Sequence, residues 1–182
     1  MSIIRTNQIT DTAGTGTPSF PNGIPAGTSG VGKILNIEST HVQQFASGIT
    51  STSYSDIPEA TLSITPSSTT SKIFLLLNFG IGRSGINSDW FKVIRTIGGV
   101  STTVAPSGTS EGESWGGGSR GTNPTYELRL VNWTFLDSPN TTSLVTYKLQ
   151  ARVDGGTLYL NRVGANTTRA STFNWTAMEK SA

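Results

Sequence analysis

The sequence predicts an all-β fold, a jelly-roll-like β-sandwich, and three observations indicate it. Charged residues make up 13% of the 182 residues and hydrophobic residues 34%, and Ser, Thr, Gly and Asn fill much of the difference. This mixture favours strands and turns, because Thr fits pleated surfaces while Ser, Asn and Gly suit turns. Strong helix formers are scarce, with no window rich in Ala or Leu. Roughly eight to ten short apolar segments separated by turn residues are typical of sandwiches and barrels.

The first 31 residues differ from the rest of the chain. The stretch TNQITDTAGTGTPSFPNGIPAGTSG (Thr6 to Gly30) is rich in Gly and Pro and carries few bulky apolar side chains. Such a segment cannot bury enough apolar surface to offset its own ordering entropy, so we expect a partner to order it, or else the segment wraps its own sandwich. We therefore predict an extended N-terminal anchoring segment, 1–31, and a displayed β-sandwich, 32–182. The candidate anchor residues are Ile3, Ile4, Ile9, Phe20 and Ile24.

The first strand signals after this segment are short, and they lead to one much stronger strand. The weaker signals are KILNIE, HVQQFAS and ATLSIT, which begin at Lys33, His41 and Ala60. The strong one is SKIFLLLNFGIG, Ser71 to Gly82, which is apolar on both of its alternating faces. A strand of this kind is covered on both sides. One face meets the core, and the other requires a second element or a second chain.

The remaining strand signals predict two hairpins, a long strand and a final strand. Asp89 to Ala105 contains Gly98-Gly99, which suits a tight hairpin turn. Thr142 to Val163 alternates apolar and polar residues on both sides of Asp154-Gly155-Gly156 and predicts a second hairpin. Thr125 to Asp137 is the long strand, and Ser171 to Lys180 is the last. Core or interface packing is expected for the tryptophans of these strands, Trp90, Trp133 and Trp175.

Several function classes are disfavoured by composition. The chain has no Cys and a single His, His41, which leaves no thiolate or His-rich metal site and no catalytic-triad motif. We predict no cofactor and no metal. The net charge of +2 comes from dispersed Lys and Arg, so nucleic acid is not expected as a partner. The chain carries neither a signal-peptide core nor a run of about 20 apolar residues, and we expect no membrane insertion.

Acid pairs were the remaining route to catalysis. A glycoside hydrolase needs two carboxyl groups on either side of the scissile bond. The candidate pairs are Asp56 with Glu59, Glu111 with Glu113, and Asp137 with Asp154. Each pair lies in turn-like sequence, where acids are ordinary surface residues, so the sequence favours a protein that is not an enzyme.

A glycine-rich stretch, Gly108 to Pro124, is the best binding candidate in the sequence. It lacks the lysine and the spacing of a phosphate-binding loop. A loop of this length in a compact domain is usually functional or disordered. Trp115 and Arg120, with Glu111 and Glu113, could stack on a sugar ring and hydrogen-bond its hydroxyls, so these four are the receptor-contact candidates. The alternative is that Trp115 folds back over the end of the sandwich.

Several of these stretches resemble a domain that recurs in structural proteins of tailed phages, especially those of cyanobacteria and other aquatic bacteria. They are LDSPNTTSLVTYKLQARVDGGTLYLNR, the terminal ASTFNWTAMEKSA, and the segment that begins KILNIESTHVQQFASGITS. The opening NQITDTAGTGTPSFPNGI is similar to the short module that precedes many such domains. The resemblance implies a homotrimer on the virion surface, with the N-terminal segment docked on other virion proteins of the tail, baseplate or capsid. It does not cover the region from GRSGINSDW to SRGTNPTY.

The expected function is therefore a trimeric phage fibre whose sandwich is displayed for attachment to the host surface, for example to a glycan. The candidate trimer-interface residues are Phe74, Leu76, Val131, Trp133 and Phe135, which supply apolar surface beyond the needs of a monomer core. The alternatives are a capsid decoration or cement protein, an enzyme that degrades host polysaccharide, and a free lectin-like module. Fibre and cement differ first in their position on the particle.

Overall fold

A computed structural model describes residues 33–43, 48–85, 89–105, 114–115, 127–164 and 171–181, and these residues form ten strands. The described part of the chain contains no helix. The strands are β1 (Ile34–Val42), β2 (Ser55–Ile64), β3 (Lys72–Arg83), β4 (Asp89–Ile97), β5 (Val100–Ala105), β6 (Ser114–Trp115), β7 (Arg129–Asp137), β8 (Val145–Val153), β9 (Leu158–Leu160) and β10 (Phe173–Lys180).

The strands form two antiparallel five-stranded sheets, and this confirms the predicted all-β sandwich. The first sheet has the order β1-β10-β3-β7, with β9 also paired to β3. The second sheet has the order β2-β8-β4-β5, with β6 also paired to β4. The chain passes from one sheet to the other at most of its connections, so most strand neighbours are distant in sequence. Residues Lys33–Ala182 belong to one compact unit.

The core lies between the sheets, and strict alternation along the strands builds it. In β3, Ile73, Leu75, Leu77 and Phe79 are at most 1% exposed, whereas the residues between them face away from the core. In β8, every second residue from Val145 to Val153 is buried in the same way. Because side chains of a strand point alternately to opposite faces, each sheet contributes one apolar face to the core and keeps one outer face.

Aromatic rings join the two sheets across this core. Phe79 of the first sheet packs edge-on against Phe91 of the second, with ring centres 5.1 Å apart. Trp133 lies near both, at 6.3 Å from Phe79 and 6.4 Å from Phe91. Trp175 and Tyr147 are fully buried, with ring centres 6.5 Å apart. Such pairs add about 0.5–1.5 kcal/mol each beyond the area they bury.

The first predicted hairpin is confirmed, and the second is wrong. Strands β4 and β5 pair through a turn in which Gly98 and Gly99 have φ of 56° and 84°, the left-handed conformation that this turn requires. Strands β8 and β9, in contrast, lie in different sheets, so the turn at residues 154–156 carries the chain across the sandwich. The sequence cannot distinguish such a crossing from a hairpin, because in both cases a glycine-containing turn joins two strands of alternating apolar and polar residues.

The five candidate interface residues are divided between the two faces of the first sheet. Val131, Trp133 and Phe135 lie opposite Phe79, Leu77 and Leu75 of β3 and pack, partly buried, against the core. Phe74 and Leu76 lie on the outer face, where Leu76 is 36% exposed. The physical reason is register: directly opposed residues share a face, so the alternate positions of β7 face inward with the core residues of β3.

The predicted N-terminal anchor lies outside the described residues, and with it Ile3, Ile4, Ile9, Phe20 and Ile24. In the described part of the chain, no helix has the length and apolar character needed to cross a membrane. Within that same part, no group of three or more His, Cys, Asp or Glu side chains is arranged to hold a metal ion.

Candidate functional site

Four side chains form a cluster of alternating rings and cations on the outer face of the second sheet. The Arg152 guanidinium lies over the Trp90 ring at 4.1 Å and over the Tyr54 ring at 5.5 Å. The Lys92 ammonium lies over the same Tyr54 ring at 4.2 Å. All four side chains are half-buried. We call Tyr54, Trp90, Lys92 and Arg152 the aromatic–cation cluster.

Strand register assembles this cluster. Trp90 lies directly opposite Arg152 in the β4–β8 ladder, and Lys92 lies opposite Gln150 one pair further along the same face. Tyr54 comes from the residue before β2, the other neighbour of β8. The sequence predicts core or interface packing for Trp90, but its strand neighbours Asp89 and Phe91 are the buried residues, and Trp90 is half-buried on the outer face. Trp90 and Lys92 share a face because they are two residues apart in a strand.

The predicted receptor-contact loop adjoins this cluster through its backbone. Trp115 pairs with Trp90 in the short β4–β6 ladder. Glu111, Glu113 and Arg120 lie outside the described residues. Of the four receptor-contact candidates, the structure thus places Trp115, through its backbone, next to a cluster that the sequence does not predict. The sequence feature that could have indicated the cluster is the alternation of Trp90 and Lys92, but this alternation is also typical of an ordinary strand.

A cavity of about 300 Å³ is lined by residues 48–51, by the start of β2 and by Leu160 of β9. Its walls include hydroxyl, carboxylate and apolar groups, contributed by Ser51, Ser55, Asp56, Ile57, Glu59 and Leu160. Residues 57–60 form an irregularity in which the β2–β8 register shifts, and this bulge places Glu59 at the cavity wall. Tyr54 lies between cavity residues in the chain, so the cavity and the cluster share the segment 51–56.

Asp56 connects the cavity to the outer face of the second sheet. Its carboxylate accepts hydrogen bonds from Lys148 Nζ at 2.8 Å and from Gln150 Nε2 at 2.6 Å. The hydrogen bond from Lys148 and that from Gln150 hold the pKa of Asp56 below its usual value, although partial burial opposes them. Asp56 therefore stays ionised and acts as an acceptor, which is the opposite of what a general acid needs.

The structure treats the three acid pairs differently. Asp56 and Glu59 do line one cavity. Asp137 is instead bound to Arg95 Nη1 at 2.8 Å and to the Tyr147 hydroxyl at 2.8 Å, inside the sandwich, whereas Asp154 lies in an exposed turn. Glu111 and Glu113 lie outside the described residues. Asp137 thus has a structural role.

An apolar row crosses the outer face of the first sheet. The β1–β10–β3–β7 register aligns Ile37, Met178, Phe74 and Leu136, one from each strand. Ile37 is 57% exposed and Leu136 56% exposed, while Met178 and Phe74 are half-buried. Leu76, two residues along β3 from Phe74, adds apolar surface beside this row, which we call the outer apolar row. Contiguous apolar surface of this kind marks an interaction site more often than isolated exposed residues do.

A polar row crosses the same face four residues along each strand from the outer apolar row. The register aligns His41, Asn174, Asn78 and Asn132 across the same four strands. The Nδ1 atom of His41 and the Oδ1 atom of Asn174 are 2.7 Å apart, and Asn78 donates to Asn132. The only histidine is therefore part of a surface hydrogen-bond row.

Comparison with known proteins adds no assignment. The sequence matches no family model and no curated protein.

Proposed function

We propose that this protein is a structural protein of a tailed-phage virion, a trimeric fibre whose N-terminal segment docks on the particle and whose β-sandwich is displayed for attachment to the host surface. The observation that carries the proposal is the outer apolar row. It gives the sandwich a face for self-association, while the opposite sheet keeps the aromatic–cation cluster for a ligand. The resemblance of the sequence to phage structural proteins supplies the setting.

The occupant of the outer apolar row is, in this proposal, a second copy of the chain. Four strands about 4.8 Å apart and about eight residues of roughly 3.3 Å each give the whole outer face of the first sheet, which includes the outer apolar row and the polar row, a projected area of roughly 500 Å². The accessible surface of a corrugated face exceeds its projection, so the face approaches the roughly 800 Å² per partner of a standard stable interface. The neighbouring polar row adds hydrogen-bonding groups at the rim, the usual arrangement around an apolar interface centre.

The strand order supports the jelly-roll form of the sandwich. With the short strands β6 and β9 set aside, eight strands remain, four in each sheet, in the orders β1-β10-β3-β7 and β2-β8-β4-β5. Two interleaved four-stranded sheets of this kind are what two Greek keys produce, and jelly rolls recur in viral structural proteins and lectins.

The outer apolar row is tested by substituting charge into it. We expect the wild-type protein to be a trimer by light scattering, and Phe74→Ser with Leu136→Lys to give a folded monomer, because a buried unpaired charge is costly at an interface. The matched control is Val100→Lys, since Val100 is 71% exposed on the other sheet. It should leave the trimer intact.

Two results would contradict the trimer. One is a monomeric wild-type protein at micromolar concentration, and the other is a double variant that remains trimeric and folded. Imaging of particles that carry the labelled protein then separates fibre from cement, because only a fibre is located on the tail or baseplate. Particles without a fibre should lose adsorption, whereas particles without a cement protein should lose capsid strength.

A further inference from the structure

We infer that the aromatic–cation cluster and the neighbouring cavity together bind an acidic polysaccharide, with the anionic group of one sugar at Lys92 and Arg152 and an adjacent uncharged sugar in the cavity. The inference names the ligand class for the attachment that the proposed function assumes, and it rests on that function only for its biological setting. Its own support is the geometry of six residues: the four of the cluster, with Asp56 and Glu59 of the cavity.

The first support is that the two cations are held in place. Both lie over the Tyr54 ring, at 4.2 and 5.5 Å from its centre, and Arg152 also lies over Trp90. A guanidinium that stacks on a ring contacts it with its flat face, and its N–H donors lie in its plane rather than against the ring. Two cations at one ring also lie within about one Debye length, ~10 Å at 0.1 M salt, so a single anion between them interacts with both.

The second support is the sign of the charge on this face. The described charged side chains that are exposed or half-buried on the outer side of β2, β4 and β8 are the cations Lys92, Lys148 and Arg152 and the carboxylates Asp56 and Glu59. Asp56 is bound to Lys148, at 2.8 Å. The three cations therefore exceed the two carboxylates by one charge, and two of the three cations, Lys92 and Arg152, belong to the cluster. An anion is the ligand that this arrangement attracts.

The third support is the chemistry of the cavity. Its volume, about 300 Å³, is at the lower end of the range of small-molecule sites, ~300–1,000 Å³, which suits one sugar unit. The hydroxyls of Ser51 and Ser55 and the carboxylates of Asp56 and Glu59 match sugar hydroxyls as donors and acceptors. The two carboxylates also repel an anionic sugar from the cavity. The charged unit is therefore directed to the cluster and the uncharged unit to the cavity.

Nucleic acid fits this surface less well. Proteins that bind duplex DNA tightly neutralise several phosphates, about 6–10, with Lys and Arg. The outer face of the second sheet offers three cations, of which one is bound to Asp56. A polymer whose charges are spaced by uncharged sugars needs no such continuous basic surface.

The test uses the full-length protein and hyaluronate, in which carboxylated and uncharged sugars alternate, with dextran as the neutral comparison. Calorimetric titration should show binding of hyaluronate that weakens as salt increases, and no binding of dextran. Lys92→Gln with Arg152→Gln should reduce the affinity by about tenfold or more, because two charge-assisted contacts are lost. Lys33→Gln with Lys180→Gln removes the same charge from the first sheet and should change the affinity less than about twofold.

Several results would overturn the inference. They are wild-type protein that binds neither polymer, wild-type protein that binds dextran as tightly as hyaluronate, equal binding of duplex DNA, and an unchanged affinity in the cluster variant. The wild-type comparison decides the question even if the cluster variant does not fold. A monomeric protein that binds hyaluronate would remove the trimer and keep this inference. A trimer that adsorbs to cells without binding hyaluronate would support the proposed fibre and contradict this inference.

Discussion

Substitutions in the buried polar network of Asp137, Arg95 and Tyr147 should destabilise the sandwich by amounts that differ predictably. Asp137, 9% exposed, accepts from Arg95 Nη1 at 2.8 and 3.0 Å and from the Tyr147 hydroxyl at 2.8 Å. Burial, and next the Asp137 carboxylate, raise the pKa of Tyr147, which keeps the hydroxyl protonated as a donor. The network joins β4, β7 and β8, and so it connects both sheets.

The two substitutions remove different parts of this network. Tyr147→Phe deletes one hydrogen bond to a charged acceptor that keeps its arginine, a loss of about 1.5–3 kcal/mol. Arg95→Met leaves a mostly buried carboxylate without its cation, a loss of up to about 3–5 kcal/mol, reduced somewhat because Arg95 retains 18% exposure. Because the two partners share one carboxylate, the double variant should deviate from the sum of the single losses by about 0.5 kcal/mol or more.

Urea unfolding at a fixed protein concentration measures all three values. In a chain of this size, about 1 kcal/mol corresponds to roughly 2–4 °C in Tm, which gives a second measurement by calorimetry. Tyr159→Phe is the matched control, because the Tyr159 ring is only half-buried. A loss for Tyr147→Phe no larger than that of this control, or additive losses for the two network variants, would contradict a network that shares the Asp137 carboxylate.

Three further predictions concern single positions. Burial raises the pKa of Asp89 to about 6, although the charge of Arg83 opposes the shift, so this group favours the folded state most below about pH 4. As the pH rises from 4 to 7, the free energy of unfolding should lose up to about 3 kcal/mol from this source, and urea titrations of Asp89→Asn should lack that fall. Gly82→Ala should destabilise the fold strongly, because a Cβ at this position would clash with the backbone of Arg162 and Val163, which follow β9. An unchanged Tm would contradict this prediction. Asn161→Ala should cost about 1–3 kcal/mol or more, because this fully buried side chain accepts from the Gly80 amide at 3.1 Å; hydrogen exchange at Gly80 measures the same loss locally.

Much of the fold could be predicted because it depends on local alternation. The buried positions of β8 are the apolar positions of its pattern, and so are most of those of β3 and β10, where Arg83 and Glu179 are the buried charged exceptions. The glycine pair of the β4–β5 turn has the left-handed conformation that the sequence predicts for a tight hairpin turn. The apolar outer side of β3 was also visible, in Phe74 and Leu76. Such features are determined by the two-residue period of a strand and by turn residues, which act over a few residues.

The functional surface could be predicted only in part, because it depends on which strands become neighbours. Trp90, Arg152 and Tyr54 lie far apart in the chain and meet because β4, β8 and β2 are adjacent in one sheet. A local pattern does not determine these neighbours. The same limit applies to Trp133, which is a candidate interface residue from the sequence but is turned toward the core by its pairing with Leu77.

The sequence by itself determined that this chain forms a β-sandwich, and it determined the alternation that gives each sheet a core face and an outer face. Only the tertiary structure decided that β8 and β9 join different sheets, that the outer apolar row is continuous over four strands, and that two cations lie over one tyrosine ring. Strand alternation is local and requires no partner, whereas these other features arise from pairing between distant segments, which is selected by packing of the whole core.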